Sequence, residues 1–369
     1  MGAVALYRRF RPDSFDKVIG QDHITTTLIN QVKSGNIAHA YLFTGSRGTG
    51  KTTCAKIFSK AINCLSPVNG SPCGKCEVCK ALADESNMDI LEIDAASNNG
   101  VDEIRDIRDK VKFPPVSAKY KVYIIDEVHM LSINAFNALL KTLEEPPKHA
   151  VFILATTEVR KLPATILSRC LRFDFRLVSN VLLEELLQKI FNEVKIACDN
   201  DSIKVIANAG EGSVRDTLSI ADSVIAYGNN KITYDIVLNV LGISDRDTII
   251  KLADSMISGD IGGVLDEIHA AFSSGKNLIS LSKDLTTHFR DLMVIKNCKE
   301  SENILSLPSD LFEKLSKQSQ TASAKKLLAF MEKLSSIEGD LKYALNPRVL
   351  LEITCLECAS LDENGSKKN

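Results

Sequence analysis

A glycine-rich segment followed by a lysine and two threonines has the composition to hold phosphate groups. The run Gly45-x4-Gly50-Lys51-Thr52 fits the phosphate-loop pattern G-x-x-x-x-G-K-[ST]. Glycines allow a tight turn whose N–H groups point at phosphate oxygens, while Lys51 would reach the β and γ phosphates and the Thr52 hydroxyl would bind Mg²⁺. The predicted nucleotide-binding residues are Gly45, Ser46, Arg47, Gly48, Thr49, Gly50, Lys51, Thr52 and Thr53.

The segments on either side support this interpretation over a glycine turn that arose by chance. An apolar run, Ala40–Thr44, is long enough for a buried strand. The segment Lys51–Ile62 has the pattern of a helix, and a helix N-terminus favours bound anions. Strand, loop and helix therefore follow one another in the order that a phosphate site needs.

Two adjacent carboxylates, Asp126 and Glu127, follow the apolar strand Val122–Ile125. A continuous apolar strand is typical of a parallel sheet, where ligands bind at the carboxyl ends of the strands. We expect Asp126 to hold Mg²⁺ and Glu127 to orient or deprotonate an attacking water. An acidic pair after a strand often does no more than form a turn. Combined with the phosphate loop earlier in the chain, this pair predicts hydrolysis.

Two further polar residues have positions that suit phosphate contacts. Thr157 follows the buried strand Val151–Ala155, and its hydroxyl would bind the γ-phosphate or the nucleophilic water, with a strand-ending turn as the alternative. Arg215 lies in the first turn of the predicted helix Val214–Tyr227, where its charge opposes the helix dipole. That placement predicts an anion opposite Arg215, although a solvated arginine remains the alternative.

Four of the ten cysteines are clustered, with the spacing Cys64-x8-Cys73-x2-Cys76-x2-Cys79. Four thiolates fit a closed tetrahedral Zn²⁺ site with no open position for catalysis, so we interpret it as structural. The surrounding segment, residues 63–80, has no apolar core, and metal would supply its ordering energy. Four free surface thiols are the alternative.

Composition limits the class of protein. The chain has 369 residues, 44% hydrophobic and 25% charged, with a net charge of −2. Such a length suits two or three domains. Because the net charge is close to zero, nucleic acid could be bound only by a local basic patch. We expect no membrane segment and no signal peptide, because no apolar run has the necessary length. The expected location is the cytoplasm.

Strands alternate with helices up to Phe175, which predicts an α/β fold with a three-layer parallel sheet. Helical periodicity dominates after Arg176. The predicted division is a nucleotide-binding domain at 1–178 with the cysteine insertion at 63–80, a small helical domain at 179–242, a helical oligomerisation domain at 243–361 and a disordered tail at 362–369.

Several longer motifs give the chain a family resemblance. They are RPxxFxxVIGQ at Arg11–Gln21, IDEVHMLS at Ile125–Ser132, NALLKTLEEPP at Asn137–Pro147, LPATILSRC at Leu162–Cys170 and EGSVRD at Glu211–Asp216. With the phosphate loop and the cysteine insertion, they make the chain resemble an AAA+ ATPase of the clamp-loader type. The resemblance implies an AAA+ P-loop domain with a zinc insertion, a helical lid and a C-terminal helical collar.

The resemblance also assigns roles. Lys51, Thr52, Asp126 and Glu127 match the phosphate, Mg²⁺ and acidic positions. Thr157 matches the first sensor, Arg215 the second sensor that contacts the γ-phosphate in cis, and Arg169 the arginine finger that acts in trans. The matched zinc ligands are Cys64, Cys73, Cys76 and Cys79. Arg105 and Lys141 fall near positions that track the DNA backbone.

The implied function is that of an ATPase motor subunit in a bacterial DNA polymerase III clamp loader, which loads a sliding clamp onto primed DNA during replication. ATP, Mg²⁺ and structural Zn²⁺ are the implied cofactors. The implied partners are delta- and delta-prime-type loader subunits, further copies of the chain, the clamp and primed DNA held by its backbone, at the replisome and nucleoid. The alternatives are a helicase-type AAA+ DNA motor, a non-hydrolysing loader subunit and a scaffold with ATP as a folding cofactor.

Overall fold

A computed structural model describes residues 4–84, 87–98, 100–228, 231–241, 246–305, 307 and 309–366. Contacts divide the chain into two compact units, residues 1–231 and 232–369. The predicted boundary at 242/243 lies outside the described residues, as do positions 367–369 of the predicted tail.

The first unit is built on a five-stranded sheet in which all paired strands run parallel. Its strands are β1 (Ala40–Thr44), β2 (Ile90–Asp94), β3 (Lys121–Asp126), β4 (Ala150–Thr156) and β5 (Leu171–Asp174), in the order β2-β3-β4-β1-β5. The central strands β1 and β4 are buried along their whole length, which explains their unbroken apolar sequences. The sheet confirms the predicted α/β fold.

Helices cover both faces of this sheet and form the lid. They are α1 (Leu6–Arg9), α2 (Asp22–Ser34), α3 (Lys51–Ala61), α4 (Glu77–Ala81), α5 (Val101–Lys110), α6 (Ile133–Glu144), α7 (Ala164–Leu167), α8 (Asn180–Val194), α9 (Asn200–Ala209) and α10 (Val214–Gly228). Two short strands, β6 (Ala197–Cys198) and β7 (Lys231–Ile232), lie in the region where the sequence predicts only helices. Two residues are too few for an alternating pattern to be visible.

Alternate side chains of each strand enter different cores. Tyr41 and Phe43 of β1 pack in one core, where the Tyr41 ring meets Phe58 of α3 edge to face at 4.9 Å. Ala40 and Leu42 pack in the other core, with residues of α5 and α6. This period of two fixes the register of β1, and with it the position at which the phosphate loop leaves the sheet.

The second unit is helical. Its helices are α11 (Tyr234–Leu241), α12 (Arg246–Ser258), α13 (Ile261–Ser273), α14 (Leu278–Asn297), α15 (Ser301–Leu305), α16 (Ser309–Ser319), α17 (Ala324–Leu341) and α18 (Pro347–Ala359). One apolar core joins most of them, and the rings of Phe289 and Phe330 meet edge to face at 5.0 Å. Among the described residues, no helix is both long enough and apolar enough to span a bilayer.

The end of the chain differs from the predicted disordered tail. Residues 362–366 form a turn in which the Ser366 carbonyl accepts the Asp362 N–H at 2.8 Å. Glu363 accepts hydrogen bonds from the Ser323 N–H at 3.0 Å and from the ammonium of Lys326 at 3.1 Å. Lys326 is buried, and an ammonium taken out of water needs such partners. The amino-acid composition of residues 362–369 did not indicate the contact between Glu363 and Lys326.

Candidate functional site

The loop between β1 and α3 depends on glycine at two positions. Gly48 has φ +75°, and a Cβ there would lie 1.9 Å from the Ser213 hydroxyl oxygen. Gly45 has φ +138°, and a Cβ there would lie 2.3 Å from the Phe175 carbonyl oxygen. Both positions combine a left-handed backbone with close packing, so that only glycine allows the loop to curve against its neighbours.

Lys51 opens α3 and turns its ammonium back into the loop. Its Nζ donates hydrogen bonds to the carbonyls of Gly45 at 2.7 Å and Ser46 at 2.8 Å. Burial lowers the pKa of Lys51, while the nearby carboxylates of Glu127 and Asp126 oppose that shift. A buried ammonium that donates to neutral carbonyls and lies near carboxylates is well placed to exchange those carbonyls for phosphate oxygens.

The loop and the end of β3 meet at Thr52 and Asp126. The Thr52 hydroxyl donates to Asp126 Oδ2 at 2.6 Å, and the Glu127 N–H donates to Asp126 Oδ1 at 2.9 Å. A hydroxyl and a carboxylate at this distance are the oxygen donors that Mg²⁺ binds alongside phosphate and water. The donor set therefore fits Mg²⁺.

Glu127 and Thr157 are brought together although thirty positions separate them along the chain. Glu127 Oε2 accepts hydrogen bonds from the Thr157 hydroxyl at 3.1 Å and from the Thr157 N–H at 3.3 Å. Glu127 itself has φ +47°, a left-handed conformation that costs free energy for a residue with a side chain. Strain of this kind is often found where a side chain must be aimed at a ligand.

The lid helix α10 begins directly against the phosphate loop. Ser213 caps this helix by accepting the Asp216 N–H at 3.2 Å, as expected of a serine at an N-cap. The Val214 N–H donates to the Gly48 carbonyl at 3.1 Å. Arg215, one residue further on, faces the same cavity as Lys51.

A cavity of about 660 Å³ lies beside the loop. Its walls include residues that sequence reasoning did not single out: Tyr7, Pro12, Val18, Leu186 and Leu218. These side chains offer an apolar surface of the kind that holds a nucleobase, next to the phosphate loop. The sequence marked this region only through the motif at Arg11–Gln21, which contains Pro12 and Val18. That motif does not indicate that Leu186 and Leu218 of the lid also line the cavity.

Arg169 lies away from this cavity. It precedes the amino end of β5, whereas Gly45 follows the carboxyl end of β1, and these two strands run parallel side by side. Arg169 donates to the Glu144 carboxylate at 2.8 Å and to the Thr165 carbonyl at 2.8 Å. Each residue of a strand adds about 3.3 Å, so the two ends of the sheet are about 13 Å apart. Arg169 is therefore not placed to contact a nucleotide held by its own chain.

The four clustered cysteines meet in space. The sulfurs of Cys64, Cys73, Cys76 and Cys79 all lie within 4.8 Å of one another. A tetrahedral Zn²⁺ with Zn–S bonds of about 2.3 Å needs sulfurs roughly 3.8 Å apart. The cluster can therefore hold a metal ion with little rearrangement, and four sulfur donors favour zinc.

Backbone N–H groups prepare the cluster for thiolates. The N–H groups of Lys75 and Cys76 both donate to the Cys73 sulfur at 3.4 Å, which lowers the pKa of the Cys73 thiol to about 6. The Cys79 N–H donates to the Cys76 sulfur at 3.3 Å and lowers the pKa of that thiol. Burial has the opposite effect on Cys79 and raises its pKa to about 12.

The two residues predicted to track DNA lie on exposed helical surfaces. Arg105 of α5 forms an ion pair with Asp102 at 3.0 Å, and Lys141 of α6 is exposed. Neither arrangement identifies a DNA contact, so both assignments stay predictions.

Three family models match the chain in succession. Residues 20–179 match the DNA polymerase III delta subunit, residues 183–230 the ATPase lid domain of the DNA polymerase III clamp loader subunit, and residues 232–368 domain III of the DNA polymerase III gamma and tau subunits. The boundary between the last two matches coincides with the division between the two units of the structure.

Similar proteins carry related names. The chain is 44% identical to DNA polymerase III subunit tau of Bacillus subtilis, over 97% of this chain and 63% of that protein. It is 42% identical to DNA polymerase III subunit gamma of Buchnera aphidicola, over 69% of this chain and 71% of that protein. The chain thus spans less than two thirds of the length of the tau subunit. Among solved structures, the Thermotoga maritima RuvB motor has a TM-score of 0.49 at 20% identity, over 67% of this chain and 79% of that one.

Proposed function

The chain belongs to the family of DNA polymerase III tau and gamma subunits, and we propose that it is the ATPase motor subunit of a clamp loader. In this role it uses ATP binding and hydrolysis to load a sliding clamp onto primed DNA. The observation that carries the proposal is the 2.6 Å contact between Thr52 and Asp126, because it joins the phosphate loop to the acidic end of β3. We retain the proposed division into an ATPase domain at 1–178, a lid at 179–242 and a collar at 243–361.

The phosphate loop would bind the triphosphate and the cavity would bind the base. Backbone N–H groups of residues 45–53 surround the phosphates, and the Lys51 ammonium transfers its hydrogen bonds from loop carbonyls to phosphate oxygens. Mg²⁺, held by Thr52 and Asp126, would neutralise charge on the phosphates. The rings and aliphatic side chains of Tyr7, Val18 and Leu218 would enclose the base.

Hydrolysis would use Glu127 and Thr157. The Glu127 carboxylate orients the attacking water and accepts its proton, and the Thr157 hydroxyl fixes that carboxylate through the 3.1 Å hydrogen bond. Arg215, which faces the cavity from the lid, would contact the γ-phosphate in cis. Arg169 would complete the site of a neighbouring subunit in trans, since its position before β5 keeps it away from its own.

The remaining proposals concern assembly and location. Zn²⁺ on the four cysteines would order the insertion at 63–80 without taking part in the reaction. The collar would assemble with further copies and with delta- and delta-prime-type subunits, in the cytoplasm at the replisome. Primed DNA would be held through its backbone, with Arg105 and Lys141 as candidate contacts, so binding would weaken steeply with salt.

ATP turnover in a reconstituted mixture tests this function. The chain is combined with delta- and delta-prime-type subunits, with and without sliding clamp and primed DNA, and K51A replaces it as the inactive control. Stimulation that requires both clamp and primed DNA is expected. Turnover that ignores the clamp but responds to branched or duplex DNA would instead indicate a helicase-type motor, and turnover equal to that of K51A would indicate a scaffold.

A further inference from the structure

A buried histidine adjoins the proposed catalytic carboxylate. The His129 side chain follows β3 in a short helical turn, Val128–Met130, and only 7% of it is exposed. Its ring lies between two carboxylates: Nδ1 is 3.4 Å from Glu127 Oε2, and Nε2 is 3.3 Å from Glu158 Oε1. A polar ring removed from water must find such partners, so the arrangement fixes the ring orientation.

The ring is also bonded to the end of β4. His129 Nδ1 lies 3.0 Å from the Thr156 hydroxyl oxygen, which in turn accepts the Glu158 N–H at 3.0 Å. Thr157, the next residue, donates its hydroxyl and its N–H to Glu127 Oε2, the same oxygen that faces His129. One oxygen of Glu127 is thus hydrogen-bonded by the end of β4, and His129 is hydrogen-bonded to the same strand end.

Glu158 is well suited to orient the histidine. Its carboxylate pairs with the Lys161 ammonium at 2.9 Å, and that bond lowers the pKa of Glu158. An ionised carboxylate only accepts hydrogen bonds, so it fixes the position of an imidazole N–H that points towards it. A carboxylate that orients a histidine beside a second functional group is a recurrent arrangement in active sites.

We propose that His129 is a positioning residue for ATP hydrolysis: oriented by Glu158, it fixes the end of β4 through Thr156, so that the adjoining Thr157 holds the Glu127 carboxylate in the direction needed to activate water. The inference rests on the proposed function, because Glu127 has this role only if the chain hydrolyses ATP. His129 is not a wall of the nucleotide cavity as the structure describes it. Its removal therefore affects the chemical step rather than nucleotide affinity.

Five variants in the complete mixture test the role of His129. H129A is expected to lower kcat about tenfold, the usual effect of losing one hydrogen bond that acts only on the chemical step, with KM for ATP and nucleotide affinity unchanged. H129N keeps a hydrogen-bonding atom near the position of Nδ1 and is expected to recover most of the rate. E158A lowers kcat about threefold alone and causes no further loss in the H129A background, because the two residues act in series.

H149A is the matched control. The His149 ring bonds the Val111 carbonyl at 2.9 Å, and the residue precedes β4, at the opposite end of the sheet.

The outcomes separate this inference from the proposed function. Wild-type turnover that clamp and DNA do not stimulate would contradict the function itself, and the role of His129 with it. Normal wild-type turnover with an undiminished H129A rate would overturn only the role of His129. Loss of nucleotide affinity in H129A, or failure of H129N to recover the rate, would also overturn it, because either result indicates a purely structural side chain.

Discussion

The guanidinium of Arg215 lies over the ring of Tyr7, with 5.3 Å between Cζ and the ring centroid. A second contact supports the first: the Leu6 N–H donates to Asp222 Oδ2 at 2.8 Å. Together they attach the N-terminal helix α1 to the lid helix α10, and both helices border the cavity beside the phosphate loop. The N-terminal segment thus forms part of the wall of this cavity.

Replacing Tyr7 is expected to weaken ATP binding. Y7A removes both a wall of the cavity and the ring beneath Arg215, and a cation–π contact of about 1 kcal/mol corresponds to roughly fivefold in affinity. Y7F keeps the ring and should bind like the wild type. Equilibrium titration with a fluorescent ATP analogue measures the effect, with Y227A, an exposed tyrosine of α10, as the control. Equal affinity of Y7A and the wild type would show that the contact is incidental.

Replacing Arg169 is expected to separate binding from hydrolysis. R169A should bind ATP normally but lose about 10³-fold in turnover, the usual contribution of an arginine finger. A mixture of R169A and K51A chains should recover part of the activity, because a K51A chain can supply Arg169 to a neighbour whose nucleotide site is intact. Turnover assays on each variant and on the mixture measure this. Normal turnover of R169A alone would reject action in trans.

The cysteine cluster is expected to bind about one Zn²⁺ per chain, as a four-sulfur site does. C79S should lose the metal and expose residues 63–80 to protease, because that segment has no apolar core of its own. ATP affinity should stay unchanged if the metal is structural. Metal analysis, limited proteolysis and nucleotide titration measure these three properties.

The control for the cluster is C298S, which alters an exposed cysteine in the second unit. Lowering the pH should release the metal, since protons compete for the thiolates. Full zinc content in C79S would contradict the four-sulfur site, and a loss of ATP affinity with the metal would contradict its structural role.

A buried histidine should make the second unit sensitive to acid. Burial lowers the pKa of His288 to about 4, although its 2.6 Å contact with Gln318 opposes the shift. Between about pH 6.5 and 4 the unfolded chain therefore binds a proton that the folded chain does not, and the free energy of unfolding falls as the pH falls. At pH 5 the loss is about 2 kcal/mol for this group.

The acid sensitivity is measured on the full chain at pH 7 and pH 5. The quantity compared is the urea concentration at which the amides of α14 lose half of their protection against hydrogen exchange. H288N should show a smaller shift between the two pH values than the wild type. H23N, which alters a histidine on an exposed surface of the first unit, should not change the shift. An identical shift in H288N would show that other groups cause the acid sensitivity.

The phosphate loop, the strands of the five-stranded sheet and the longer helices could be predicted because their signals are local. Glycine spacing fixes the loop, and β1 and β4 have unbroken apolar sequences because both faces are buried. The meeting of Thr52 with Asp126 also followed from sequence, because parallel strands present their carboxyl ends at one edge of the sheet.

Contacts between distant segments could not be predicted in this way. Tyr7 precedes Arg215 by more than two hundred positions, and nothing in the composition of either segment indicates the other. His129 lies in a motif that the sequence did mark, but its place between Glu127 and Glu158 depends on how the ends of β3 and β4 are aligned. Lys326 and Glu363 likewise form a pair that only the fold brings together.

If ATP binding and hydrolysis by this chain place a clamp on DNA, the loaded clamp must remain on the DNA when free clamp is removed. Labelled sliding clamp is incubated with circular primed DNA, partner subunits and the chain, and clamp that remains on the DNA after gel filtration is counted. Retention is expected to require ATP and the wild-type chain and to disappear with K51A. Equal retention with K51A, or without ATP, would contradict a clamp-loading role for this chain.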